Sequence, residues 1–320
     1  MNLGNFLKLV EIQTKLASMI PFILGTLFSI YRYKNFKPIN FMIMFISLLA
    51  FDMATTAINN YYDFKKATDS QKSDYKKKSN IIGSANLKLS QVKGIISLLI
   101  IIAVIFGVIL TIKTNIVVLL IGALSFAVGV LYTFGPIPLS RMPLGEIFSG
   151  FFMGFVIIFL SIYIHIFDEN IVKLMLENSM LSLQVNIKEV LYIFIISIPA
   201  IGGISNIMLA NNICDLEEDI INKRFTLPYY LGKKAAVHLY KIVYYVGFLA
   251  IIVMVVLKIA PIINLLVLLT FLPVNKNIDK FYEKQIKRET FILAVKNFAM
   301  MNVPQIILMI LVNIVNYFIK

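Results

Sequence analysis

Asn59-Asn60-Tyr61-Tyr62-Asp63, running on to Asp69, closes an apolar run that opens near residue 39, and Asn211-Asn212-Ile213-Cys214-Asp215, running on to Asp219, closes another that opens near residue 188. Asp and Glu number only 17 in 320 residues, yet both stretches carry the same Asn-x-x-x-Asp core. A spanning helix needs about 20 mainly apolar residues. Carboxylates at the ends of such runs, in a chain otherwise poor in acid, mark the membrane boundary at which chemistry is expected.

Working outward, 59% hydrophobic residues, 15% charged residues and a mean hydropathy of +0.85 place the chain in a bilayer rather than among soluble globular domains. Nine spans are expected, near 12–30, 39–60, 92–112, 116–134, 144–167, 188–210, 237–257, 259–275 and 291–318. They form one all-α bundle, a single membrane-embedded domain over residues 1–320. The eighth is short between Pro261 and Pro273, and Pro304 should kink the ninth. Lys8, Glu11 and Lys15 interrupt the first segment, which reads as a retained helix rather than a cleaved signal. Cys214 stands alone, so no internal disulfide can form.

The net charge of +13 raises nucleic acid as a partner, but the lysines lie in short loops between apolar runs rather than on one basic face, which argues against it. With the N-terminus in the cytoplasm, roughly 20 of the 30 Lys and Arg fall on the cytoplasmic side and about 8 on the other. The connections 61–91, 135–143, 211–236 and 276–290 then face inward. This puts both acidic stretches on the cytoplasmic face of a cell membrane, bacterial or archaeal. Their recurrence four helices apart suggests that helices one to four repeat in five to eight.

Residues four apart share a helical face. Asn59 and Asp63 therefore form one ladder of oxygen ligands, and Asn211, Asp215 and Asp219 another. Hard Mg²⁺ takes such oxygens and commonly completes its shell with water and substrate phosphate. Two facing acidic ladders among lysines thus read as a metal–diphosphate site, against the alternative of solvated helix ends.

The motif Asn59-Asn60-Tyr61-Tyr62-Asp63-Phe64-Lys65-Lys66-Ala67-Thr68-Asp69 resembles the first motif of the UbiA-type intramembrane prenyltransferases, in the spacing used by 1,4-dihydroxy-2-naphthoate polyprenyltransferases. Asn211 through Asp219, followed by Asn222-Lys223-Arg224-Phe225-Thr226-Leu227, resembles the second. Leu131-Tyr132-Thr133-Phe134-Gly135-Pro136, then Pro143-Leu144-Gly145-Glu146 and Gly150-Phe151-Phe152-Met153-Gly154, agrees with a third. Cys214 and Ala67 depart from the pattern, standing where a basic residue and a glycine are common.

The resemblance implies that Asn59, Asp63, Asp69, Asn211, Asp215 and Asp219 hold Mg²⁺, two ions with the diphosphate of a polyprenyl donor. An aromatic acceptor such as 1,4-dihydroxy-2-naphthoate then takes the prenyl group and loses its carboxylate, a step of menaquinone biosynthesis. Lys15, Lys65, Lys66, Lys223, Arg224 and Arg141 are candidate substrate-binding cations, and Tyr132 a candidate ring facing the allylic cation. Lys65, Lys66 and Arg224 also read as topology charges, Arg141 as a loop charge and Tyr132 as an interfacial anchor. Rival functions are the same chemistry on another quinone precursor or a lipid headgroup, terpene cyclisation without an acceptor, and an ion-coupled transporter. A transporter would place ionisable groups near the midplane, with access from both sides. His165 and His238 are too isolated for a metal triad.

Overall fold

The computed structural model describes residues 1–69, 80–133, 139–177 and 179–319, with backbone alone for 66–69, 133, 176 and 177. Eight of the described helices are long and apolar enough to cross a membrane: Ile12–Tyr33, Pro38–Lys65, Leu89–Lys113, Gly145–Ile166, Ile187–Cys214, Lys233–Val256, Ile262–Glu283 and Phe291–Phe318. A shorter apolar helix, Ile116–Tyr132, stands where the fourth span is expected. The chain is an all-α polytopic membrane protein. It divides into two compact units, Met1–Met19 with Pro38–Val130, and Ile20–Lys37 with Leu131–Lys320.

In the first unit the helix Pro38–Asp69 packs along Leu89–Lys113. Ala50 and Ala54 meet Ala103, Leu99 and Val10, and Ala57 continues the stripe to Leu9, Tyr61, Ile82 and Val92. Small side chains let helix backbones approach where hydrophobicity gives no drive to associate. Ser47 Oγ uses that closeness to donate to Ala103 O at 2.8 Å. The outward positions Leu98, Ile101, Ile105 and Ile112 are exposed, as a lipid-facing helix requires.

The helix Pro38–Asp69 continues past residue 60, where a connection was expected. Its polar extension is tied back, since Asn80 Nδ2 donates to Asn60 O at 3.0 Å. The first acidic motif is therefore helical over its whole length.

In the second unit Ile187–Cys214 is central, packed against Lys233–Val256, Phe291–Phe318 and the turn of π-helix Gly150–Val156. Gly154 makes this possible: a Cβ there would lie 2.6 Å from Ile201 Cα. The segment from Gly150 to Gly154 noted in the sequence is thus a close-approach surface. Gly154→Leu should lower stability by at least about 1–3 kcal/mol through overpacking, seen as a lower unfolding temperature in detergent. An unchanged temperature would refute the contact.

Two further departures have local causes. Residues 276–283, expected in a connection, belong to the helix Phe271–Glu283, because Pro273 sits in its first turn, where its missing N–H costs little. Between Ile166 and Ile187 the chain forms an antiparallel hairpin, Val172–Glu177 with Met180–Val185, pairing Val172 with Val185 and Leu174 with Leu183. Alternation over Val172, Leu174, Leu181, Leu183 and Val185 carries that signal. At the same end, Arg32 binds Glu189 through two bonds of 2.7 and 2.8 Å, and Tyr33 adds a third at 2.7 Å. Pro304 lies inside the last helix, which continues through it.

Candidate active site

On the first unit's helix, Asp52, Thr56, Asn59 and Asp63 fall at i, i+4, i+7 and i+11, one stripe of one face. Asp63 and Lys65 are exposed at its polar end. Asn59 Oδ1 is buried without a hydrogen-bond donor, an acceptor oxygen prepared for a cation or a substrate donor. The side chains of Lys66 and Asp69 lie outside the described residues.

Deeper on the stripe, Lys15 is buried and spends its three ammonium protons on Asp52 Oδ1 (2.6 Å), Thr56 Oγ1 (2.7 Å) and Asp52 O (3.0 Å). Ser18 Oγ donates to the other Asp52 oxygen at 2.5 Å. The structure therefore brings Lys15 to Asp52, a residue that the reading of the sequence passed over. One lone cation and one lone carboxylate in consecutive apolar runs was the available signal.

In the second unit the helix Ile187–Cys214 ends at Asp215, whose N–H donates to Asn211 O at 3.0 Å, and Asp219 N–H donates to Asp215 O at 2.8 Å. The i, i+4, i+8 steps thus persist across the break into Leu216–Ile221. Lys223, exposed and with a left-handed φ of 55°, turns the chain so that Arg224 N–H returns to Asp219 O at 2.8 Å. Arg224 Nε then lies 3.4 Å from Asp219 Oδ1.

The backbone of Arg141 joins this corner by accepting from Phe225 N–H at 3.1 Å, and Ser140 O accepts from Arg224 at 3.4 Å. The structure therefore brings Arg141, Arg224 and Asp219 together, with Lys223 at the rim.

Asp219 is buried, and Oδ2 has no donor. Burial raises its carboxyl above the usual carboxylate range; Arg224 pulls it back, and Asp215 pushes the same way as burial. Burial makes ionising this carboxylate costly, and a cation beside it would offset that cost.

A second cation was not foreseen. Lys287 Nζ donates to Asn211 Oδ1 and, at 2.5 Å, to Asp215 Oδ2. It lies in the connection before Phe291–Phe318, distant in sequence from both acidic motifs, and only the fold brings it there. Its ammonium is a stand-in that reports a cation-binding arrangement of the two oxygens.

Glu146 stands in the first turn of the helix Gly145–Ser149. It is buried, its Oε1 accepts from Asn212 Nδ2 at 2.8 Å, and Ser205 Oγ donates to its carbonyl at 3.0 Å. It positions Asn212, the neighbour of Asn211. Tyr132 reaches the same corner, its hydroxyl 3.4 Å from Gly145 O.

Among the described residues no three His, Cys, Asp or Glu side chains converge as a ready-made metal cluster. The donor set is instead mixed amide and carboxylate. In the second unit the orphaned Asp219 Oδ2 and the ammonium held by Asn211 and Asp215 fit a hard cation that keeps water and phosphate in its shell, and in the first unit Asn59 Oδ1 is an orphaned acceptor of its own.

The sequence profile of the UbiA prenyltransferase family matches residues 18–297. The chain belongs to that family. It is a prenyltransferase, and this enzyme assignment sets aside the ion-coupled transporter.

Over 235 residues it is 33% identical to 1,4-dihydroxy-2-naphthoate octaprenyltransferase of Bacillus subtilis (strain 168), covering 72% of this chain and 67% of the relative. The apo structure of a UbiA homolog from Aeropyrum pernix K1 shares the fold at TM-score 0.68 and 19% identity, over 94% of this chain and 98% of that one. A UbiA homolog from Archaeoglobus fulgidus bound to GPP and Mg²⁺ shares it at TM-score 0.65 and 12% identity, over 97% and 99%.

Proposed function

We propose that this enzyme transfers a polyprenyl group from an allylic diphosphate to 1,4-dihydroxy-2-naphthoate with loss of carbon dioxide, in menaquinone biosynthesis. The 33% identity to the Bacillus subtilis octaprenyltransferase carries the choice of acceptor. The oxygen-rich, cation-seeking ends of the two motif helices support the diphosphate chemistry.

Asn59, Asp63 and Asp69 in one motif and Asn211, Asp215 and Asp219 in the other would hold Mg²⁺. Bound there, the metal offsets negative charge on the departing pyrophosphate. Arg224, fixed by the turn at Lys223 and by Ser140 O, offers its guanidinium to phosphate oxygens, for which its planar fork is suited.

Tyr132, whose hydroxyl lies 3.4 Å from Gly145 O, would offer its ring to the allylic cation. Breaking the allylic C–O bond leaves the electron pair on pyrophosphate. The ring carbon bearing the carboxylate then bonds to the allylic carbon, and carbon dioxide departs as its bonding pair returns to the ring. The apolar helices exclude the water that would otherwise capture the cation.

The test is to supply membranes containing the protein with 1,4-dihydroxy-2-naphthoate, a long-chain polyprenyl diphosphate and Mg²⁺, and to identify products by mass. The prenylated, decarboxylated naphthoquinol is expected, with one carbon dioxide released per product. Prenylation of 4-hydroxybenzoate or another acceptor by the same preparation, with none on the naphthoate, would replace the acceptor and leave the diphosphate chemistry standing.

We place the acidic motifs on the cytoplasmic side, from the asymmetry of Lys and Arg. In a Cys214→Ser background, a cysteine at Ser73 should react with an impermeant thiol reagent only from the cytoplasmic side, and one at Asn35 only from the opposite side. Position 73 lies outside the described residues. The reverse pattern would invert the topology.

A further inference from the structure

We propose that Lys287 is a resident cation on the second motif that competes with Mg²⁺ for Asn211 and Asp215 and is transferred to the substrate diphosphate, so that metal and diphosphate bind cooperatively. This rests on the reading of Asn211 and Asp215 as metal ligands. Lys287 donates to Asn211 Oδ1 and Asp215 Oδ2, the two oxygens that a metal on this pair would use. An ammonium and a divalent cation cannot share them without strong repulsion at close range. Metal arriving alone must therefore displace Lys287.

The surrounding connection leaves the arm free to move while its root stays fixed. Thr290 Oγ1 accepts from Ile286 N–H at 3.0 Å, and Thr290 N–H donates to Ile286 O at 2.8 Å, which closes the backbone around residue 287. Glu289, the nearest carboxylate in sequence, accepts from Lys284 at 2.7 Å and is already neutralised. The Lys287 side chain is 42% exposed, and its ammonium lies 5.2 Å from the Phe291 ring centroid, so part of the arm meets solvent while its ammonium is held by the acids.

A diphosphate supplies the acceptors that this ammonium gives up on leaving the acids. Its three rotatable donors suit phosphate oxygens without demanding one geometry. Moving the ammonium from Asn211 and Asp215 to phosphate frees both oxygens for metal and adds a cation beside the leaving group. The coupling is reciprocal: metal favours diphosphate by the same factor as diphosphate favours metal.

The probes are Mn²⁺, whose free concentration is read by electron paramagnetic resonance, and unreactive geranyl S-thiolodiphosphate, with full-length protein in nanodiscs. Wild type should bind Mn²⁺ weakly alone and more tightly with the analogue. In Lys287→Met, Mn²⁺ alone should bind tighter, the analogue should bind more weakly at fixed Mn²⁺, and the coupling factor should drop by at least about fivefold. Lys287→Arg, which keeps a cation, should retain most of the coupling.

Weaker Mn²⁺ binding in Lys287→Met would overturn the proposal by making Lys287 a support for the ligands, as would unchanged affinities and coupling. Asp215→Asn separates this from the underlying reading. If it leaves Mn²⁺ binding intact, the metal site itself is misplaced; if it abolishes binding while Lys287→Met changes nothing, only the competition fails.

Discussion

Asp63→Ala, Asp215→Ala and Asp219→Ala are each expected to lower prenyl transfer by about 10²–10³-fold or more, the scale of losing one preorganised electrostatic contact to a developing charge. On the proposed metal site each removes an anionic ligand, while the apolar packing of its helix lies elsewhere. Asp63 is exposed at the end of its stripe, and Asp215 caps a helix through its backbone rather than its side chain. All three variants should therefore keep the wild-type elution profile in detergent and nearly the same unfolding temperature.

Asp219→Ala carries one difference. Its carboxyl is raised by burial, so ionising it opposes folding, and that cost sets in as pH rises through its raised value. Removing it should leave stability unchanged or slightly increased near neutral pH while activity collapses. Well-folded variants with near-normal turnover at saturating Mg²⁺ would remove these residues from the metal site.

The nine apolar segments and both acidic motifs were legible in the sequence because each rests on short-range regularities. A span is a run of apolar residues, and Asn59 with Asp63 or Asn211 with Asp215 is one helical turn. Partnerships made across the fold were not legible. Lys287 reaches Asn211 and Asp215 from a connection 76 and 72 positions away, and nothing local distinguishes it from the lysines around it. Glu146 meets Asn212 from 66 positions away, and nothing local in the sequence marks its burial.

Helix ends were misplaced for a related reason. Tyr61 to Asp69 is too polar to count as span, yet the preceding helix simply continues through it. The hairpin before Ile187 was masked by its own Leu and Val, which resemble a loop only when helices are the sole pattern sought.

Breaking the Lys15–Asp52 pair should cost more stability than any surface change, because both side chains are removed from water, at 4% and 14% exposure, inside an apolar unit. Lys15→Met leaves the Asp52 carboxylate with the Ser18 hydroxyl as its only side-chain donor among the described residues. Asp52→Leu leaves an ammonium facing Thr56. Either single change strands a charge and should lower stability by about 3–5 kcal/mol, whereas the double change to apolar residues should recover much of the loss.

Thermal unfolding of the four proteins in matched nanodiscs gives the double-mutant cycle, and additive losses would show that the pair is not coupled. Asp52, Thr56, Asn59 and Asp63 form one stripe, so a pair that clamps its inner end also fixes the direction in which Asn59 and Asp63 point. The apolar double variant, stable but unclamped by hydrogen bonds, should then show reduced turnover with the proposed metal ligands intact. If the single variants unfold at the wild-type temperature yet lose transfer outright, Lys15 serves the substrate rather than the helices.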